Sequence, residues 1–185
     1  METQFAGLNA TSAMIEVAIR PTGEEWKTTF GDECIEETAN KLKSLRPKLI
    51  VMEAAGAFEL PVAGMLAIYG LPFTIVNPRN VRDFARAVGR ISRFEYTQAG
   101  LLAHFGELID PEPRPLPEEL IEKLKHIRSR RDRVVEMLLL ERKYLATATS
   151  VLKNDVQRHI NFLEQSIASL SHEFNRSVRS SAAWR

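Results

Sequence analysis

Four polar side chains stand where divalent-metal chemistry would need them. Asn9 closes the first apolar stretch of the chain, and in "KLIVMEAAGAFELP" the run Leu49 to Met52 is halted by Glu53. Farther on, "RFEYTQAG" sets Glu95 and Gln98 three residues apart, on one face of a helix. If the strands ending in Asn9 and Glu53 are neighbours, the four side chains converge at one rim of a sheet, where open α/β sheets bind ligands. Cleavage of a phosphodiester needs such convergence, because two Mg²⁺ ions roughly 4 Å apart must be held by oxygen ligands beside the attacking and leaving oxygens. A plainer role fits Glu53 equally well: an acid near the N-terminus of the following helix, favoured there by the helix dipole. Glu95 and Gln98 taken alone are what any solvated helix displays.

A second constellation is basic. Arg79, Arg82, Arg86, Arg90 and Arg93 recur at three or four residues with only Asp83 among the charges between them, so a continuous helix would carry them along one face, opposite Val81, Phe84, Ala85 and Val88. Guanidinium forks bind phosphate oxygens in pairs, and several such contacts give salt-sensitive, sequence-independent affinity for nucleic acid. The segment "RSRRDR", with Arg128, Arg130 and Arg131, interrupts an apolar seam farther along and extends the basic track. The density of arginines on the first stripe exceeds what solubility requires.

The elements that must position these residues can be read from periodicity. "QFAGL" (4–8), "MIEVAIRP" (14–21) and "EEWKTTFG" (24–31) are short β-prone runs separated by small polar turns, which predicts an antiparallel meander. Residues 32–45 then show a helical period through Cys34, Ile35, Ala39, Leu42 and Leu45, with Asp32 as the expected N-cap and Pro47 as the stop. A strand over 48–53, a helix over about 57–69 closed by Gly70, a strand over 72–77 and a helix opened by Pro78 follow. The helical pattern runs over 79–88, pauses at Gly89 and resumes over about 92–106. The order is β-β-β-α-β-α-β-α.

"DPEPRPLP" (110–117) holds four prolines in eight residues and reads as an extended linker and domain boundary. Beyond it Leu120, Leu124, Ile127, Val134, Leu138 and Leu145 form one seam, and Val156, Ile160, Leu163, Ile167, Leu170, Phe174 and Val178 another. Two seams predict a helical hairpin bent near "TATS" (147–150), with Ser150 capping the second helix. Hairpin-to-hairpin association would reuse the same packing.

Composition removes several alternatives. In 185 residues there are 25 Lys and Arg against 24 Asp and Glu, so only the distribution of charge points to a polyanion. One cysteine, Cys34, cannot form an internal disulfide and reads as a small buried hydrophobe; the four histidines do not have zinc-ligand spacing. Neither Ser12 nor Ser92 has a base nearby in sequence. With no basic-apolar leader and no run of roughly 18 apolar residues, the expectation is a soluble cytoplasmic protein without a membrane partner. "GLNATSA" is not a glycine-rich phosphate loop, which disfavours a nucleotide-binding protein of the actin-like branch.

The element order resembles the ribonuclease H fold, and "LIVMEAAGAFE", "GLPFTIVNPRNVRDFARAVGR" and "AGLLAHFG" resemble the N-terminal part of transposases of insertion-sequence family one-hundred-and-ten. The resemblance spans essentially the whole chain. It implies an α/β, RuvC-like five-stranded mixed sheet with flanking helices over 1–109, the linker 110–117, and an antiparallel helical hairpin, or coiled coil, over 118–185 leading to an absent serine domain that "SSAAWR" would adjoin. It further implies DNA and a structured guide RNA as partners, a homo-oligomer through the hairpin, and Mg²⁺ at four acids. Carried over position by position, those acids fall on Asn9, Glu53, Glu95 and Gln98, and only Glu53 keeps the expected residue. An amide oxygen is neutral, so Mg²⁺ held by Glu53 and Glu95 alone is expected to be weak or lost. Two readings result: a transposase or recombinase domain with a degenerate metal site, or a catalytically silent module for nucleic-acid binding and dimerisation.

Overall fold

The computed structural model describes residues 3–54, 56–89 and 97–181. Its elements run β1 (Phe5–Ala10), β2 (Met14–Arg20), β3 (Glu25–Thr29), α1 (Asp32–Leu45), β4 (Leu49–Glu53), α2 (Glu59–Ile68), β5 (Phe73–Val76), α3 (Pro78–Gly89), α4 (Gln98–Ile109), α5 (Glu118–Thr147) and α6 (Ser150–Arg179). The five strands form one sheet in the order β3-β2-β1-β4-β5, with β3, β2 and β1 antiparallel and β1, β4 and β5 parallel. This is the mixed sheet that the hairpin meander and the later crossovers predict.

Strand alternation divides the core into two layers. Ala6, Leu8 and Ala10 of β1 join Ile35, Leu42, Leu60 and Leu66 of α1 and α2 on one face, while Phe5, Leu49 and Val51 join Val81, Leu102 and Phe105 of α3 and α4 on the other. β4 is covered on both faces, which explains its uninterrupted apolar run. β3 and β5 are the two edges; on β3, Glu25 and Lys27 discourage pairing with another sheet.

α5 and α6 form an antiparallel hairpin with a two-residue connection, Ala148 and Thr149. Val134, Leu138, Val156, Ile160 and Leu163 make its seam, as the periodicity predicts. At its base the seam merges with the α/β core: Leu124, Phe174 and Val178 are buried against α2, where the Phe174 ring lies over Gly64. The proline-rich segment is extended but anchored, since Arg114 N donates to Phe73 O and Leu116 is buried.

Three local expectations change. Asp32 does not cap α1; Gly31 holds that position and Asp32 lies in the first turn, where its carboxylate meets Arg131 of α5. Ser150 begins α6 rather than capping it, and Thr149 at the cap makes no side-chain bond. Cys34 is half-buried, its Sγ 3.4 Å from Thr29 Oγ1. Among the described residues, no helix is long and apolar enough to cross a membrane.

Candidate functional site

Leu8 of β1 lies opposite Met52 of β4. The next residue of each strand, Asn9 and Glu53, therefore stands at the same rim and turns to the face covered by α4. What brings α4 to that rim is a glycine. A Cβ on Gly7 would lie 1.9 Å from Ala99 O and 2.3 Å from Ala103 N, so the α4 backbone rests directly on β1. Gly106 gives a similar but looser approach over Val51. Thr97 caps α4 by accepting from Gly100 N at 2.9 Å and donates to Glu25 of the edge strand. Gln98, the first residue of the helix, is thereby fixed, and its Nε2 donates to Glu53 Oε2 at 2.5 Å.

Asn9 faces away from that pair, toward β2. The antiparallel register sets it opposite Glu16, and Asn9 Nδ2 donates to Glu16 Oε2 at 3.1 Å. One strand farther out, Lys27 lies opposite Glu16 and its ammonium is 2.6 Å from Oε1. The Lys27 hydrogen bond, reinforced by that of Asn9, holds the Glu16 carboxyl below the usual carboxylate range, and Glu16 raises the Lys27 ammonium in return.

The structure thus pairs two of the four positions singled out in the sequence, Gln98 with Glu53, while Asn9, at the end of the adjacent strand, has a separate partner in Glu16, which Lys27 also holds. Glu95 lies outside the described residues. The sequence did carry a signal for Glu16: it is the polar break in "MIEVAIR", and the short turn before it fixes its register with Asn9.

This donor set does not fit Mg²⁺. A carboxylate only accepts hydrogen bonds, so each amide must turn its N–H₂ toward it and its oxygen away. Glu53 and Glu16 both receive such a donor, and Glu16 is also neutralised by Lys27. Among the described residues no three acidic, histidine or cysteine side chains gather in metal-binding geometry.

α3 carries the basic stripe. Asn77 Oδ1 accepts from Arg79 N at 2.9 Å, Pro78 opens the helix, and Val81 and Phe84 seat it on α4, where Phe84 meets Phe105 edge-on with ring centres 5.2 Å apart. Arg79, Arg82 and Arg86 are exposed on the other side. Arg86 has a weak partner in Asp83 at 3.3 Å. Arg90 and Arg93 lie outside the described residues.

The α5 cluster divides. Arg128, 20% exposed, binds Glu36 at 2.6 Å and Met65 Sδ at 3.0 Å, and Arg131, 18% exposed, binds Ser171 Oγ at 2.9 Å and the Asp32 carboxylate. These two guanidiniums tie the hairpin base to α1, α2 and α6 instead of extending the basic track. Arg130 is exposed.

No family model and no curated protein matches the chain. Among solved structures it is similar to T. thermophilus RuvC in complex with Holliday junction substrate, at 10% identity and a TM-score of 0.44, over 61% of this chain and 100% of that chain. The strand order β3-β2-β1-β4-β5, antiparallel on one side of β1 and parallel on the other, with helices on both faces, is the five-stranded mixed α/β arrangement expected from the element order, followed by two long helices.

Proposed function

We propose that the chain is a nucleic-acid-binding and dimerisation module derived from a DNA transposase or recombinase, chemically silent at its acid cluster. The observation that carries this reading is the direction of the two amides: Gln98 donates to Glu53 and Asn9 donates to Glu16, which replaces ligand oxygens by N–H groups at the rim where a metal would sit. The exposed arginines of α3, Arg79, Arg82 and Arg86, are the gripping surface for DNA and a structured guide RNA, with Arg90, Arg93 and Arg130 as candidates to extend it. A second copy would pack against the hairpin, whose Leu140 on α5 and Phe162 on α6 are 65% and 63% exposed.

Calorimetric titration with Mg²⁺ tests the silent site. The chain as it stands should give no binding heat, whereas Asn9→Asp, Glu95→Asp and Gln98→Asp combined should create a divalent-metal site and raise the melting temperature when Mg²⁺ is added. Mg²⁺-dependent nicking of DNA by the unmodified chain would overturn this reading in favour of an active transposase domain.

A further inference from the structure

The opposite rim of the sheet holds a groove of about 880 Å³ that the α3 stripe does not reach. It lies where α1 ends and β1 and β4 begin, one strand length from the Asn9 and Glu53 rim. The five residues of β4 make that about 16 Å. Its wall is formed by Thr22, Asn40, Lys43, Ser44, Arg46 and Lys48, with no carboxylate among the lining residues. All six are exposed. Hydroxyls, amides, lysine and arginine are the groups that hold phosphate oxygens. No aromatic ring lines the groove, so it offers nothing on which a base could stack.

The charges in it are available. Among the described residues neither Lys43 nor Arg46 makes a salt bridge; Lys43 lies 5.5 Å from the centre of the Tyr69 ring, and Lys48 shares its charge with Asp110 at the margin. Cations after a helix C-terminus also answer the helix dipole, and that accounts for a basic residue somewhere in the last turn. It does not account for Arg46 itself. Arg46 sits at φ 52° and ψ 52°, the left-handed position after α1, with its N–H bonded to Leu42 O at 3.0 Å. Glycine or asparagine takes that conformation at lower cost. Arg46 thus lines, from a fixed left-handed turn, a groove with no acid among its lining residues, where its guanidinium can donate to phosphate oxygens.

We propose that this groove is a second contact for a nucleic-acid phosphodiester backbone, independent of sequence and separate from α3. The inference rests on the reading of the chain as a nucleic-acid binder and adds a site that reading does not contain. A strand or duplex that engages both α3 and the groove must cross from one to the other over the α/β unit.

The test compares three proteins: the unmodified chain, Lys43→Gln with Arg46→Asn, and Arg79→Gln with Arg82→Gln and Arg86→Gln. Fluorescence anisotropy is measured against mixed-sequence single-stranded RNA and mixed-sequence duplex DNA over a range of salt. Arg46→Asn retains a residue suited to the left-handed turn, so the groove variant should melt no lower than the unmodified chain. Its slope of log affinity against log salt should fall by about 1.4 to 1.8, two phosphate contacts at roughly 0.7 to 0.9 each. Whichever probe shows the larger fall names the ligand as RNA or DNA. An unchanged slope on both probes overturns the groove while leaving α3 in place if the α3 variant loses slope. Absence of any binding by the unmodified chain overturns the functional reading and the groove together. Groove-dependent binding to anionic phospholipid vesicles without binding to either nucleic acid would assign the groove to a membrane surface and overturn the proposal.

Discussion

Gly7→Ala probes the joint between fold and site. The added Cβ would meet the α4 backbone at 1.9 Å, and ordinary contact begins at 3.4 Å, so α4 must lift by about 1.5 Å or β1 must sink by as much. Neither is easy: Ala99, Leu102 and Ala103 are at most 1% exposed, and Leu8 and Met52 fill the layer beneath. Overpacking of this kind costs about 1 to 3 kcal/mol, and the upper end applies because backbone cannot rotate away as a side chain can. A lift of that size also stretches the Gln98–Glu53 hydrogen bond beyond its useful range, adding about 1.5 kcal/mol for a bond to a charged acceptor. The expected total is about 4 to 4.5 kcal/mol, read as a shift in the urea midpoint. Gly106→Ala, which crowds the buried Val51 Cγ2 at 2.9 Å but meets no backbone, should cost about 1 kcal/mol, because the overpacking is partly offset by the higher helix propensity of alanine. If Gly7→Ala unfolds at the same urea concentration as the parent, the direct seating of α4 on β1 is wrong and so is the account of how Gln98 reaches Glu53.

Arg128→Ala with Arg131→Ala should lower stability by about 1 to 2 kcal/mol in urea, chiefly through lost packing of the two largely buried arginine side chains, since Glu36 and Asp32 remain 40% and 58% exposed, yet should leave the salt dependence of nucleic-acid binding nearly unchanged. Burial, followed by the charge of Arg20, holds the His104 imidazole below its ordinary pKa. The unfolded chain therefore takes up the proton first, and stability should fall as pH is lowered from about 7.5 to about 5.5, with a shallower loss in His104→Gln. If a second copy packs on the hairpin as proposed, the chain should sediment as a dimer and Leu140→Glu with Phe162→Glu as a monomer, without a lower melting temperature, since both side chains are exposed in the single chain.

The sequence by itself determined the elements. The unbroken apolar run of β4, the helical period of α1, Pro47, Pro78 and the hairpin seams act between residues close in the chain, so pattern alone located these elements to within a few residues. It also pointed to the rim where Asn9 and Glu53 end adjacent strands and where Gln98 meets Glu53, because strand order and alternation leave few places for the ends of β1 and β4.

What tertiary structure alone decided is the use made of those groups. Which way an amide turns depends on the acid opposite it, and only the β1–β2 register makes Glu16 the partner of Asn9. "RSRRDR" looks alike at each arginine, but Arg128 and Arg131 meet Glu36 and Asp32 across 92 and 99 residues of chain, contacts that exist only once α5 has docked on α1. Local periodicity carries no information about such partners. Hydrogen bonds and ion pairs act over a few ångströms, and which groups come that close is settled when the layers pack.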